Sequence, residues 1–150
     1  MNHLPVRLSP GADLRRSLER EASVSLGGSA FVVAGIGSLA GITIRLAASA
    51  QETRVSGAFE LISLSGSLSL DGAHLHMSVA DESGRVIGGH VCYGNIVRTT
   101  AEVLLVALEA WQLSRTLDPD TGYLELQVSN SARNPGLRRL DSQVPGADGV

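Results

Sequence analysis

The chain has 150 residues, 43% of them hydrophobic and only 3% aromatic, which suits one folded domain with a Leu, Ile, Val and Ala core and excludes a disordered polymer. A formal net charge of -3 argues against a surface built wholly to track phosphate backbones, leaving Arg98, Arg115 and the Arg133, Arg138, Arg139 group as the places for a local basic patch. The one cysteine, Cys92, excludes an intramolecular disulfide and fits a reducing cytoplasm; no signal-peptide layout opens the chain, and no apolar run reaches the roughly 18 residues of a membrane span.

Met1 to Leu8 reads as an extended lead-in with His3 a free terminal residue. Ser9-Pro10-Gly11-Ala12-Asp13 has the chemistry of a helix start, with Ser9 as cap, and Leu14, Leu18 and Ala22 follow at helical spacing. A helix is expected from Pro10 to Ala22. Ser29 to Gly37 reads as a buried strand closed by glycine. Gly41 to Ala47 alternates and reads as a half-buried strand. Gln51 to Gly57 reads as a polar turn.

Phe59 to Leu70 is a strand whose apolar phase changes at Ile62-Ser63, which marks a bulge or a segment covered on both sides. Ala73 to Ala80 and Arg85 to Val91 flank Asp81-Glu82-Ser83-Gly84 and form a hairpin. Thr99 to Ala110 is ambiguous between helix, from its Ala, Leu and Glu content, and a fully buried strand. Tyr123 to Val128 is the last strand. The expected organisation is one α+β domain over residues 1–128, mostly antiparallel sheet with flanking helices, and a flexible tail over 129–150.

Three of the four histidines fall between Ala73 and His90. His74 and His76, two apart on a strand, share one face with their Cα atoms about 7 Å apart. His90 lies on the other arm of the hairpin. If paired residues sum to 166, His76 faces His90; if to 164, His74 does. Either even sum gathers three imidazoles on one face, and an odd sum breaks the site. Leu75, Met77 and Val79 point to the opposite face, and Gly88 and Gly89 leave space beside His90. Three nitrogens with a fourth position open suit zinc, in an arrangement typical of catalytic rather than structural sites. Cys92 shares the parity of His90 and is either a fourth ligand or a small buried hydrophobe. Thr99, Thr100 and Glu102 are candidates to stand near the metal, Glu102 as general base or as a buried or subunit-contact carboxylate. Gly35-Ile36-Gly37-Ser38-Leu39 lacks both the dinucleotide fingerprint and a Walker lysine.

Several stretches in order resemble the PPC (plants and prokaryotes conserved) domain. They are Gly35 to Leu39, Gly57 to Gly66, His74 to Asp81, Gly84 to His90, Thr99 to Val103 and Arg115 to Leu126. The resemblance implies an antiparallel α+β fold, a strand rather than a helix over Thr99 to Leu108, and a homotrimer. Prokaryotic members of the family are described as DNA-binding by prediction. In plants the domain follows AT-hooks and contacts partner proteins through Gly-Arg-Phe-Glu-Ile-Leu; here that motif reads Gly57-Ala58-Phe59-Glu60-Leu61-Ile62 and no hook is present. The fold is also similar to that of acetolactate decarboxylase and a zinc-dependent ester hydrolase, which carry zinc on histidines. The expectation is a cytoplasmic, trimeric, DNA-associated or regulatory module with zinc on His74, His76 and His90. The alternative is a zinc-dependent lyase or hydrolase acting on a small carbonyl compound, with Glu102 moving the proton.

Overall fold

A computed structural model describes residues 2–130. The elements run β1 (His3–Leu8), α1 (Leu14–Ser25), β2 (Ala30–Arg45), β3 (Glu52–Ser69), β4 (Gly72–Asp81), β5 (Val86–Val91), β6 (Val97–Ala107), β7 (Trp111–Leu117) and β8 (Leu124–Asn130). The first six strands form one sheet in the order β1-β6-β2-β3-β4-β5. All its pairings are antiparallel. β5 also returns to β2 through Ile44↔Val91 and Arg45↔His90. The run β2-β3-β4-β5 therefore closes on itself. The first half of β2 lies between β6 and β3, and its last residues between β3 and β5.

α1 packs against β3, β4 and β6 through the buried face of Leu14, Leu18 and Ala22, and the core is completed by residues such as Leu39, Ile44, Leu75 and Leu105. The helix begins later than the sequence suggests. Asp13, not Ser9, is the cap: its Oδ1 accepts from the Arg16 amide at 3.0 Å, satisfying one of the orphan amides of the first turn. It is the one helix among the described residues, where flanking helices were expected.

Three strand readings change, and one left ambiguous is resolved as the resemblance implied. β1 is a strand because β6 offers it a complete ladder, His3↔Val106 to Leu8↔Ala101. The two expected strands at Ser29 to Gly37 and Gly41 to Ala47 are one strand, β2, bent by register shifts at Val32/Ala34, Gly37/Leu39 and Leu39/Gly41. The polar segment after Gln51 is not a turn but the start of β3, paired from Glu52↔Arg45 to Ser56↔Gly41. β6 is a strand: flanked by β1 and β2, it satisfies its backbone on both edges and buries Ala101, Val103, Leu105 and Ala107, which overrides local helix propensity.

The phase change in β3 is a bulge at Ile62, between the pairs Leu61↔Val79 and Ser63↔Ser78. It lets Phe59, Leu61 and Leu64 share the core. The far end of β3 is covered on both faces, with Ser67 and Ser69 buried as well as Leu68. β7, absent from the sequence reading, pairs with β8 from Trp111↔Asn130 to Leu117↔Leu124. The Leu113 amide donates to Ser29 Oγ at 3.0 Å and the Arg115 amide to Asp71 Oδ2 at 2.9 Å, which dock this hairpin on the main sheet. β8 continues two residues past the expected domain end, to Asn130. The rest of the expected tail, with Arg133, Arg138 and Arg139, lies outside the described residues.

Gly66 faces Leu75 in the β3–β4 ladder with φ +142°, and a Cβ there would collide with the backbone of His74 and Leu75. Gly84, in the hairpin turn at φ +80°, has nothing within 4 Å. Gly66→Ala is expected to cost at least ~2 kcal/mol in urea unfolding, and Gly84→Ala about 1 kcal/mol, from conformation alone. Equal costs for the two would overturn the close-approach account of Gly66.

Candidate metal centre

β4 alternates as its sequence requires. Leu75, Met77 and Val79 are buried, and His74 and His76 are exposed on the other face. The hairpin pairs residues summing to 166, so His76 faces His90, with Met77↔Gly89 and Val79↔Ile87 following. The two glycines do not leave open space as expected. A Cβ on Gly88 would stand 2.6 Å from the Met77 carbonyl oxygen, and one on Gly89 2.7 Å from that of Arg45. They permit close backbone approach, which brings β5 between β4 and β2.

The three rings meet. His76 Nε2 lies 3.2 Å from His74 Nε2 and 2.9 Å from His90 Nδ1, and the ligating atoms all lie within 4.8 Å of one another. A ring nitrogen carries one proton or one lone pair, never both. His76 Nε2 can therefore make one good hydrogen bond, yet two nitrogens crowd it. A shared cation resolves that conflict: nitrogens about 2.0–2.1 Å from one tetrahedral zinc stand about 3.3 Å apart. The donor chemistry suits zinc, and the two nitrogen pairs that meet at His76 stand near that spacing.

Burial, then the Arg115 guanidinium and His76, hold His74 below its ordinary pKa, while Glu125 pulls the other way. Burial, then His76, Arg45 and His74, lower His90. Both shifts favour the neutral imidazole, which is the ligating form. Cys92 does not join the cluster. It is buried, its Sγ lies 3.9 Å from the His90 carbonyl oxygen, and burial followed by Glu52 raises its pKa. This is the small-hydrophobe reading.

His74 and His76 open onto a cleft of about 250 Å³ walled by Ser65 and Ser67 of β3 and by Arg115 and Glu125 of the β7–β8 hairpin. Glu125 was not among the sequence's site candidates, and Arg115 was named only as a place for a basic patch. Their signal was the turn Asp118 to Gly122, which needed a strand before it as well as after it. Glu102 sits elsewhere: it is exposed on β6, opposite Arg7 and Ile36. It lines a separate cleft of about 370 Å³ with Ser38, Thr99 and Thr100. Of these two clefts, neither holds both Glu102 and a histidine of the triad. Arg98 is exposed on β6.

An antiparallel sheet carrying one helix and a solvent-facing histidine triad defines the class. Residues 1–109 match the model of the Plants and Prokaryotes Conserved (PCC) domain, and the chain belongs to that family, the PPC domain of the sequence resemblance. It is 43% identical over 144 residues, 95% of its length, to the Bifunctional protein GlmU of Synechococcus sp. (strain JA-3-3Ab). The chain spans 23% of that relative's own length. A hypothetical protein from Salmonella shares the fold with TM-score 0.83 and 36% identity, covering 86% of this chain and 94% of that one. The metal-containing protein AF0104 from Archaeoglobus fulgidus has TM-score 0.73 and 24% identity, over 85% and 94% of the two chains. A candidate DNA-binding protein from Bacteroides thetaiotaomicron has TM-score 0.74 and 20% identity, over 84% and 91%.

The lowered histidines give a sign for the metal-free protein. Below 6.5 the unfolded chain takes up protons that folded His74 and His90 resist, so stability rises with pH through the window below 6.5 and falls as pH drops through it. Thermal melts in chelator on either side of 6.5 are expected to show this fall. The double variant His74→Ala/His90→Ala should show a smaller one.

Proposed function

We propose that the domain is a metal-carrying binding module in which His74, His76 and His90 hold one zinc ion with its remaining coordination open to the cleft. The observation that carries this reading is the convergence of two ring nitrogens on His76 Nε2. The description of the Archaeoglobus neighbour as metal-containing supports it. When bound, zinc would polarise a ligand carbonyl or lower the pKa of a water. The chain's own residues position the ring nitrogens, favour the neutral form of His74 and His90, and shape the cleft. A lyase or hydrolase acting on a small carbonyl compound is the reaction class this chemistry serves. Glu102 enters that chemistry only if a second copy brings it to the histidines.

The same module is read as a homotrimer. Val33, Ile36 and Ile62 are more than half exposed on β2 and β3, an apolar surface that self-association would cover. Association with DNA is a second reading, supported by the description of the Bacteroides neighbour and opposed by the net charge of -3.

Elemental analysis of purified protein is expected to find one zinc per chain, lost in His90→Ala. Chelation should lower the melting temperature of the wild type and leave that of His90→Ala unmoved. Free zinc about 1,000-fold above Kd stabilises a folded state by about 4 kcal/mol, so the wild-type shift should be several degrees. Wild-type protein purified without metal, and indifferent to added zinc, sinks the reading. Light scattering should give the mass of three chains. Retardation of duplex DNA that weakens steeply with salt is the outcome the DNA reading needs; no binding at low salt excludes it.

A further inference from the structure

The histidine cleft contains a cation that the metal reading does not use. Arg115 reaches across from β7, and its Nη2 donates to Ser67 Oγ at 2.8 Å. Ser67 is the ladder partner of His74, so the guanidinium is fixed beside the residue directly opposite the first ligand. Nη1 donates to the Leu124 carbonyl oxygen at 3.3 Å. The Nε proton is buried without a partner. A guanidinium offers five N–H donors, and these two bonds leave most of its fork unused. Arg45, whose ladder partner is His90, lies on the other side of the triad and donates to the Ser49 carbonyl oxygen at 3.3 Å. The rings are thus flanked by two arginines, both of which lower the pKa of His74.

The cleft has one carboxylate of its own, Glu125. It makes no ion pair with Arg115, and Thr121 Oγ1 donates to its Oε1 at 3.1 Å. A zinc ion and Arg115 in the same cleft, with Glu125 as the one acidic side chain lining it among the described residues, would leave a net positive site. A carboxylate matches the planar fork of a guanidinium and can leave the rest of its molecule free to reach the metal.

We propose that the cleft binds a small carboxylate, with Arg115 donating to the carboxylate while the rest of the molecule reaches the metal's open position. This rests on the metal reading and narrows its ligand to a small acid whose carboxylate meets the Arg115 fork. A volume of about 250 Å³ suits a small ligand, below the range of drug-sized sites. Arg115 is held by Ser67 and Leu124 before any ligand arrives, so little side-chain entropy is lost on binding.

The test uses cobalt-loaded protein, because the visible absorption of cobalt reports its coordination without any turnover. Wild type, Arg115→Gln and Arg115→Lys are first measured for metal content. Equal loading in all three is expected, and failure of wild type to take up cobalt would overturn the metal reading itself. Each protein is then titrated with glycolate, with its neutral analogue glycolamide and with inorganic phosphate. Glycolate is expected to shift the wild-type spectrum. Arg115→Gln should weaken that response about tenfold or more, and Arg115→Lys should recover part of it. Glycolamide should bind poorly to all three. Equal responses of wild type and Arg115→Gln to glycolate, or a stronger wild-type response to phosphate or glycolamide, overturn the carboxylate assignment.

Discussion

The register of the β4–β5 hairpin is the constraint on which the site depends. Side chains alternate along a strand, so a slip of one residue in β5 would turn His90 to the other face and carry Val91 out of the core. The register is held from both sides. β4 fixes it through His76↔His90, and β2 fixes it independently through Arg45↔His90 and Ile44↔Val91. The contacts at Gly88 and Gly89 explain why two ladders can converge there: the backbones of Met77 and Arg45 come close enough to exclude a Cβ. Val91, 1% exposed, and Ile44, fully buried, then weigh against any slip. The histidines gain their geometry from bonds and packing that belong to the fold.

The second wall comes from a different source. β7 and β8 pair only with each other. They reach the main sheet through single bonds, from Leu113 to Ser29, Arg115 to Asp71 and the Arg115 side chain to Ser67. Two-stranded ribbons are marginal alone, so these tethers and the buried Leu113 set where the hairpin lies. The cleft therefore joins a rigid half, the closed run of strands with its histidines, to a half held by few contacts. Ligand preference can vary with the second half while the nitrogens stay in place.

The parts of the site legible in the sequence were those set by period-two alternation. His-Leu-His between Ala73 and Met77 declared one wet face and one core face, and the sum of paired residues stated what His90 required. Alternation could not choose between 164 and 166. That choice belongs to the return of β5 onto β2, a pairing between residues far apart in the chain. The same reason hid the unity of β2, whose bends at Gly37 and Leu39 read locally as a break. It also hid the start of β3, whose polar residues Glu52 to Ser56 become strand because β2 needs partners there. β7 escaped because Trp111 to Leu117 has no clean alternation, and with it went Arg115 and Glu125. Family resemblance resolved Thr99 to Leu108, where local propensity pointed to helix and the ladder on both edges won.

Without a metal, the triad adds little to what holds the domain together. His74 and His76 are exposed, and the residues between and beside them, Leu75, Met77 and Val79, carry the packing on the other face. His76 Nε2 faces two ring nitrogens and can satisfy only one of them, and protonating the rings would set like charges together. Nothing in the core requires that arrangement. A cation at their centre would give the three facing nitrogens one shared partner. The site is also open to separate dissection: replacing a histidine removes a ligand while leaving the core face of β4 intact.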